Sequence, residues 1–198
     1  MKNLKHVLPL GMLAVTGCVA PVGPVEVSRF HLPDTTQLGQ GTIAIEPAQD
    51  IDAQNLEFRS YAAAVSRELQ RIGYSEIVAG GSASKSVAIV SVERESFRRG
   101  RDGSPVSVGV GGSTGSHGSG VGVGIGLNLS GPPPETVETR LAVTIRDRAS
   151  GQSLWEGRAT FSVRASSPMA QTQLGAAKLA EALFRNFPGT SGETILVE

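Results

Sequence analysis

With 198 residues, 39% of them hydrophobic and 18% charged, the sequence suffices for one compact domain with short extensions and an apolar core. Eighteen basic residues balance eighteen acidic ones and no run of five like charges occurs, so the electrostatic footprint of a nucleic-acid binder is missing. The single cysteine excludes a disulfide within the chain.

The N-terminus reads "MKNLKHVLPLGMLAVTGC": Lys2 and Lys5, an apolar run from Val7 to Val15, then small residues. That is the layout of a secretory signal peptide over residues 1–17, with an apolar run far short of the ~20 residues a membrane helix needs. Val15-Thr16-Gly17-Cys18 resembles the lipobox of bacterial lipoproteins, in which cleavage leaves the cysteine first and lipid-modified. Cys18 is therefore the expected lipidation site, and two or more acyl chains give stable anchoring. Val19 follows it instead of the aspartate typical of inner-membrane retention, so the resemblance implies the outer membrane, facing the periplasm. Residues 18–24 then form a short proline-bearing tether, and removal of Lys2 and Lys5 leaves 16 basic residues against 18 acidic, a net charge of −2.

The folded domain is expected over residues 25–198. Val25–Leu32 alternates Val25, Val27 and Arg29 against Glu26, Ser28 and Phe30 as a first strand, and "TIAIEP" makes a second. Between Asp52 and Gly73 the period changes: Phe58, Tyr61, Val65, Leu69 and Ile72 fall on one helical face, and Gly73 suits a left-handed cap. "YSEIVAG" and "SVAIVSVERESF" read as strands. Arg94, Arg98, Arg99 and Arg101, interleaved with Glu93, Glu95 and Asp102, read as a solvated strand end.

A glycine-rich insertion follows over 104–130. Alternation places Val106, Val108 and Val110, and then Val121, Val123, Ile125, Leu127 and Leu129, on the apolar face of a long hairpin. Its other face is bare glycine and its tip is "STGSHGS". "ETRLAVTIRDRASGQSLWEGRATFSVRA" is a second hairpin with tip "ASGQ", presenting Leu141, Val143, Ile145, Leu154, Ala159, Phe161 and Val163. Ser167 and Pro168 then open a helix with Ala176, Ala180, Leu183, Phe184 and Phe187 on one face, stopped by Pro188-Gly189. "ETILVE" is a last strand or a frayed tail. The sum is an α+β domain: a mostly antiparallel sheet, two helices packed on one face, and the long glycine-rich hairpin.

Chemical motifs are weak. Gly120 and Gly122 meet two positions of a dinucleotide fingerprint, but Ile125 stands at the third and no helix follows. Ala79–Ser86 is a similar near-miss to a phosphate loop. Gly111-Gly112-Ser113-Thr114-Gly115 matches a nucleophile elbow, which would make Ser113 a hydrolase nucleophile; yet no helix follows, and His117 is too near to serve as its partner. His31 and His117 stand alone, so no metal spacing exists, and no cofactor is expected. Asp147 and Glu156 read as exposed strand ends, and Trp155 as packing.

The order of elements resembles the DUF4136 family of bacterial envelope lipoproteins. Leu69, Gly73 and Tyr74 match its early "L-x-x-x-Gly-aromatic" segment; Asp147, Leu154, Trp155 and Gly157 match its late hairpin motif. Ser84-Lys85-Ser86 departs from the family's usual acidic pair before the middle strand. The resemblance spans about Val25 to Phe187 and implies no catalytic residues. The expected function is a non-catalytic binding or assembly module at the outer membrane, with an envelope protein or a second copy as partner. The alternatives are a glycine-rich self-associating or membrane-contacting structural protein, and a serine hydrolase acting through Ser113.

Overall fold

The computed structural model describes residues 23–76, 84–98, 106–115, 118–127 and 134–198, with the backbone alone for 106–115 and 118–127. In chain order these hold β1 (Val25–His31), β2 (Thr42–Pro47), α1 (Leu56–Arg71), β3 (Ser75–Glu76), β4 (Ser86–Arg98), β5 (Val106–Gly115) and β6 (Gly118–Leu127). There follow β7 (Glu135–Asp147), β8 (Ser153–Arg164), a 3-10 turn (Pro168–Ala170), α2 (Thr172–Phe184) and β9 (Thr194–Val197). Seven strands make one sheet in the order β3-β2-β4-β7-β8-β1-β9. β2 runs parallel to β3 and β4, and every other neighbouring pair is antiparallel. The α+β class with a mostly antiparallel sheet is thus present.

The pleat sorts residues as alternation predicts. One core row runs Val27, Ala159, Leu141, Val92 across four strands, and the next runs Arg29, Gly157, Val143, Val90. Both helices lie over this face. Phe58, Tyr61, Val65 and Leu69 of α1 and Leu179, Ala180, Leu183 and Phe184 of α2 join the sheet in a single buried cluster. α1 starts where Asn55 Oδ1 accepts from the N–H groups of Glu57 (2.8 Å) and Phe58 (3.4 Å), satisfying two orphan donors. It ends at Gly73, whose φ of +111° is open to few side chains, and a Cβ there would collide with the Gly39 carbonyl oxygen.

Several expectations need correction. Ser167 caps the 3-10 turn, accepting from Met169 N–H at 3.2 Å, whereas α2 begins at Thr172 after Gln171, which makes no side-chain cap. α2 also stops at Phe184, before Pro188-Gly189, because Arg185 turns to extended backbone (ψ 127°) and Asn186 takes φ +57°. "ETILVE" is an ordered strand: Thr194–Val197 pairs with β1. Of the strand expected over "YSEIVAG", Ser75 and Glu76 are strand and the rest lies outside the described residues.

The Trp155-x-Gly157 motif has a packing cause. Trp155 is fully buried, stacks on Phe184 with ring centroids 5.4 Å apart, and donates its indole N–H to the Pro188 carbonyl at 3.0 Å. Its ring lies across Gly157, where a Cβ would enter the ring and come within 2.8 Å of Leu183 Cδ1. Gly157→Ala should therefore lower stability by about 3 kcal/mol, the upper range for overpacking a tight core. A urea-unfolding midpoint unchanged from the parent would refute this packing account.

Candidate functional site

The residues singled out for chemistry do not converge. Cys18 and His117 lie outside the described residues, as do Arg99 and Arg101. Ser113 sits within β5, opposite Gly120 of β6, so the strand-to-helix elbow a nucleophile needs is replaced by a strand-to-strand hairpin, not the loop expected. Pairing runs on to Gly115–Gly118, which shortens the expected tip to a two-residue connection. Gly120 and Gly122 lie in β6, again with no helix after them.

His31 is structural. Its Nδ1 lies 2.7 Å from the Leu32 carbonyl and its Nε2 3.2 Å from that of Gly189. Asp147 accepts from the Ser150 N–H and hydroxyl, which hold its carboxyl below the usual range, while Glu156 faces Thr144 in the ladder. They form a turn clasp and a surface residue, not a carboxylate pair. Among the described residues no three His, Cys, Asp or Glu side chains are grouped to hold a metal ion.

Two arginines that sequence reasoning left without a role occupy key places. Arg29, 4% exposed on the core face of β1, donates Nε to the Leu183 carbonyl (3.0 Å) and Nη2 to that of Ala182 (2.9 Å). It thereby satisfies carbonyls that the end of α2 leaves free and complements the negative end of the helix dipole. Burial lowers its pKa, opposed in part by Glu193. The signal was present: Arg29 continues the buried alternation of Val25 and Val27. Arg94 lies at the exposed end of β4, as expected, and has a role there besides. It donates to the Ala170 carbonyl, to Thr172 Oγ1 (3.2 Å) and to Glu57 Oε1 (3.4 Å), joining β4 to the starts of both helices.

The uncovered face of the sheet is polar. A concavity of about 810 Å³ is lined by Ser28, Ser91, Glu93, Glu138, Arg140 and Arg158 among others. Arg140 bridges Glu93 (2.8 Å) and Glu138 (3.7 Å). Phe30 and Leu196 stand out on this half of the sheet, 53% and 67% exposed.

Register also fixes which segments share an end of the sheet. One row reads Glu26, Thr160, Arg140, Glu93 across β1, β8, β7 and β4. The antiparallel pairings point the start of β1, the start of β7 and the finish of β4 the same way. Gly23 and the Arg98–Glu135 pair, which brackets residues 99–134, therefore lie at one end.

The model of a domain of unknown function, DUF4136, matches residues 28–189. The chain belongs to this family. This DUF4136 chain is similar to the uncharacterized protein ZMO1243 of Zymomonas mobilis: the two are 30% identical over 212 aligned positions, covering 86% of this chain and 79% of that protein. In shape, the DUF4136 domain is similar to a PDZ domain protein from Parabacteroides distasonis, with a TM-score of 0.48 at 11% identity, covering 88% of this chain and 39% of that one. A subunit of the PelC dodecamer from Paraburkholderia phytofirmans gives 0.45 at 13% identity, covering 79% and 91%.

Within the DUF4136 domain Arg29→Met should lower stability by about 3 kcal/mol, the upper range for a bond to a charged group, and Arg29→Lys should recover only part of it. Chemical denaturation of both variants measures this, and parental stability in Arg29→Met would exclude the capping role. Tyr61 supplies a pH test. Burial, aided by Glu57 and opposed by Arg94 and Thr139, pushes its phenol up to about 12. A folded pKa raised above the ordinary value of about 10 contributes stability that is complete below pH ~10 and fades as pH climbs towards 12. The expected loss is on the order of 2 kcal/mol, and Tyr61→Phe should remove this step from the alkaline unfolding curve.

Proposed function

We propose that this chain is a periplasmic lipoprotein anchored by Cys18 in the outer membrane, whose DUF4136 domain is a non-catalytic binding or assembly module of the cell envelope. The observation that carries the reading is the N-terminal segment itself: two lysines, a short apolar run, and Val15-Thr16-Gly17 before the sole cysteine. Anchoring confines the domain to a surface and raises its effective concentration for partners there.

The geometry supports binding over chemistry. Arg29, Arg94, His31 and Asp147 are engaged in caps and clasps, whereas strand edge is on offer. β2 pairs with β4 only as far as Pro47–Val90, while β4 continues to Arg98. An edge of this kind accepts an added strand. The partner we assign to this edge is a strand of another envelope chain.

The test is acylation in the native host. Metabolic labelling should place palmitate on the mature chain, with Cys18 as its N-terminal residue. Cys18→Ser should abolish the label and leave the leader uncleaved. A labelled Cys18→Ser chain, or an unlabelled parent, would overturn the anchoring.

A further inference from the structure

Residues 103–134 contain no Asp, Glu, Lys or Arg, although the chain has 18 basic and 18 acidic residues. Thirty-two consecutive uncharged residues in an exported protein suit an environment in which charge is penalised. Within this run β5 and β6 are ten residues each and pair along their full length. A strand that crosses a bilayer at a tilt has about 9–11 residues.

The register sets the faces. Val106–Leu127, Val108–Ile125 and Val110–Val123 are directly opposed pairs, so they share one face of the hairpin. Gly109–Gly124 and Gly111–Gly122 share the other. One continuous apolar face along paired strands is what the lipid side of a membrane-spanning sheet requires.

Placement agrees with the pattern. The hairpin leaves the sheet at the Arg98–Glu135 pair, at the same end as Gly23. From the row through Glu26 and Glu93, Arg98 lies five residues on, roughly 17 Å along a strand. Cys18 lies eight residues before Glu26 and reaches at most about 29 Å in the same direction. A bilayer holding acylated Cys18 is therefore within reach of the end of the sheet at which β4 finishes and β7 begins.

We propose that the hairpin 106–127 inserts into the phospholipid bilayer to which Cys18 holds the domain, and that hairpins of several copies close into a β-barrel there. Several copies are required because a lone hairpin would leave two unpaired strand edges in hydrocarbon. The proposal rests on the lipoprotein reading for the choice of membrane, and its test is independent of acylation.

The acylated full-length protein, whose Cys18 thiol is blocked, is made as Val123→Cys and Gly122→Cys and labelled with an environment-sensitive fluorophore. It is then mixed with phosphatidylethanolamine–phosphatidylglycerol vesicles containing a trapped dye. The label at position 123 should shift to the blue and be quenched from within the acyl chains, while that at 122 should be quenched by aqueous iodide. The unlabelled parent should release trapped dye at least tenfold faster than a chain lacking residues 104–130. Equal iodide quenching at both positions overturns insertion. Shielding of position 123 in the absence of lipid assigns the hairpin to a protein groove and overturns it too, and lipid shielding without dye release overturns the barrel. Loss of palmitate labelling with a lipid-shielded position 123 would sink the anchor alone, and the reverse result the hairpin alone.

Discussion

α2 is held at both ends by arginines that rise from the same face of the sheet, and much of the architecture follows from that arrangement. At its finish Arg29 takes the Leu183 and Ala182 carbonyls; at its start Arg94 takes the Ala170 carbonyl and Thr172. The first contact is favourable on every count, a cation on free carbonyls at the negative end of a dipole. The second sets a cation at the wrong end, and Glu57 of α1 offsets it at 3.4 Å. That ion pair thus couples the two helices as well as the strand beneath them. It is partly exposed, so its weight lies in fixing position more than in energy.

The same contacts tie the ends of the domain together. Gly192 donates to the Arg29 carbonyl at 2.8 Å, Ser191 bonds the His31 backbone, and β9 pairs along β1. β1 is consequently an interior strand, bonded to β8 on one side and β9 on the other. For a domain held through the residues just before Val25, tension enters along a strand paired on both edges. Extraction then requires its hydrogen bonds to shear together instead of opening one at a time. An anchored module gains from that placement whatever it binds.

Periodicity made the framework legible, and competition for backbone groups hid the rest. The 58-61-65-69 stripe of α1 and the alternation along β7 and β8 each have one low-energy reading, and the structure adopts it. The start of α2 fooled the local signal because Ser167-Pro168 is a good opening for a helix. The helix is interrupted at Gln171, whose backbone is extended (ψ 135°), and Arg94 takes the Ala170 carbonyl beside the break. The partner lies 76 positions away in sequence, so no local pattern reports it. The end of α2 failed likewise: Pro188-Gly189 is a plausible stop, yet Arg29 secures the carbonyls one turn earlier. Arg29 itself was readable as a charge on an apolar face, but its partner was not.

The residues matched to the family motifs have packing roles in the structure. Gly157 is required because the Trp155 ring crosses it, and Trp155 is placed by Phe184 and the Pro188 carbonyl. Gly73 is required by the close approach of Gly39. The matched positions therefore secure one end of α1 and one end of α2, which is packing work that any member could share while binding different things. Those contacts leave three features uncommitted: the polar open face, the free length of β4, and the charge-free stretch between β4 and β7. The close contacts thus fix the ends of the helices against the sheet and leave its open face and the edge of β4 free of them.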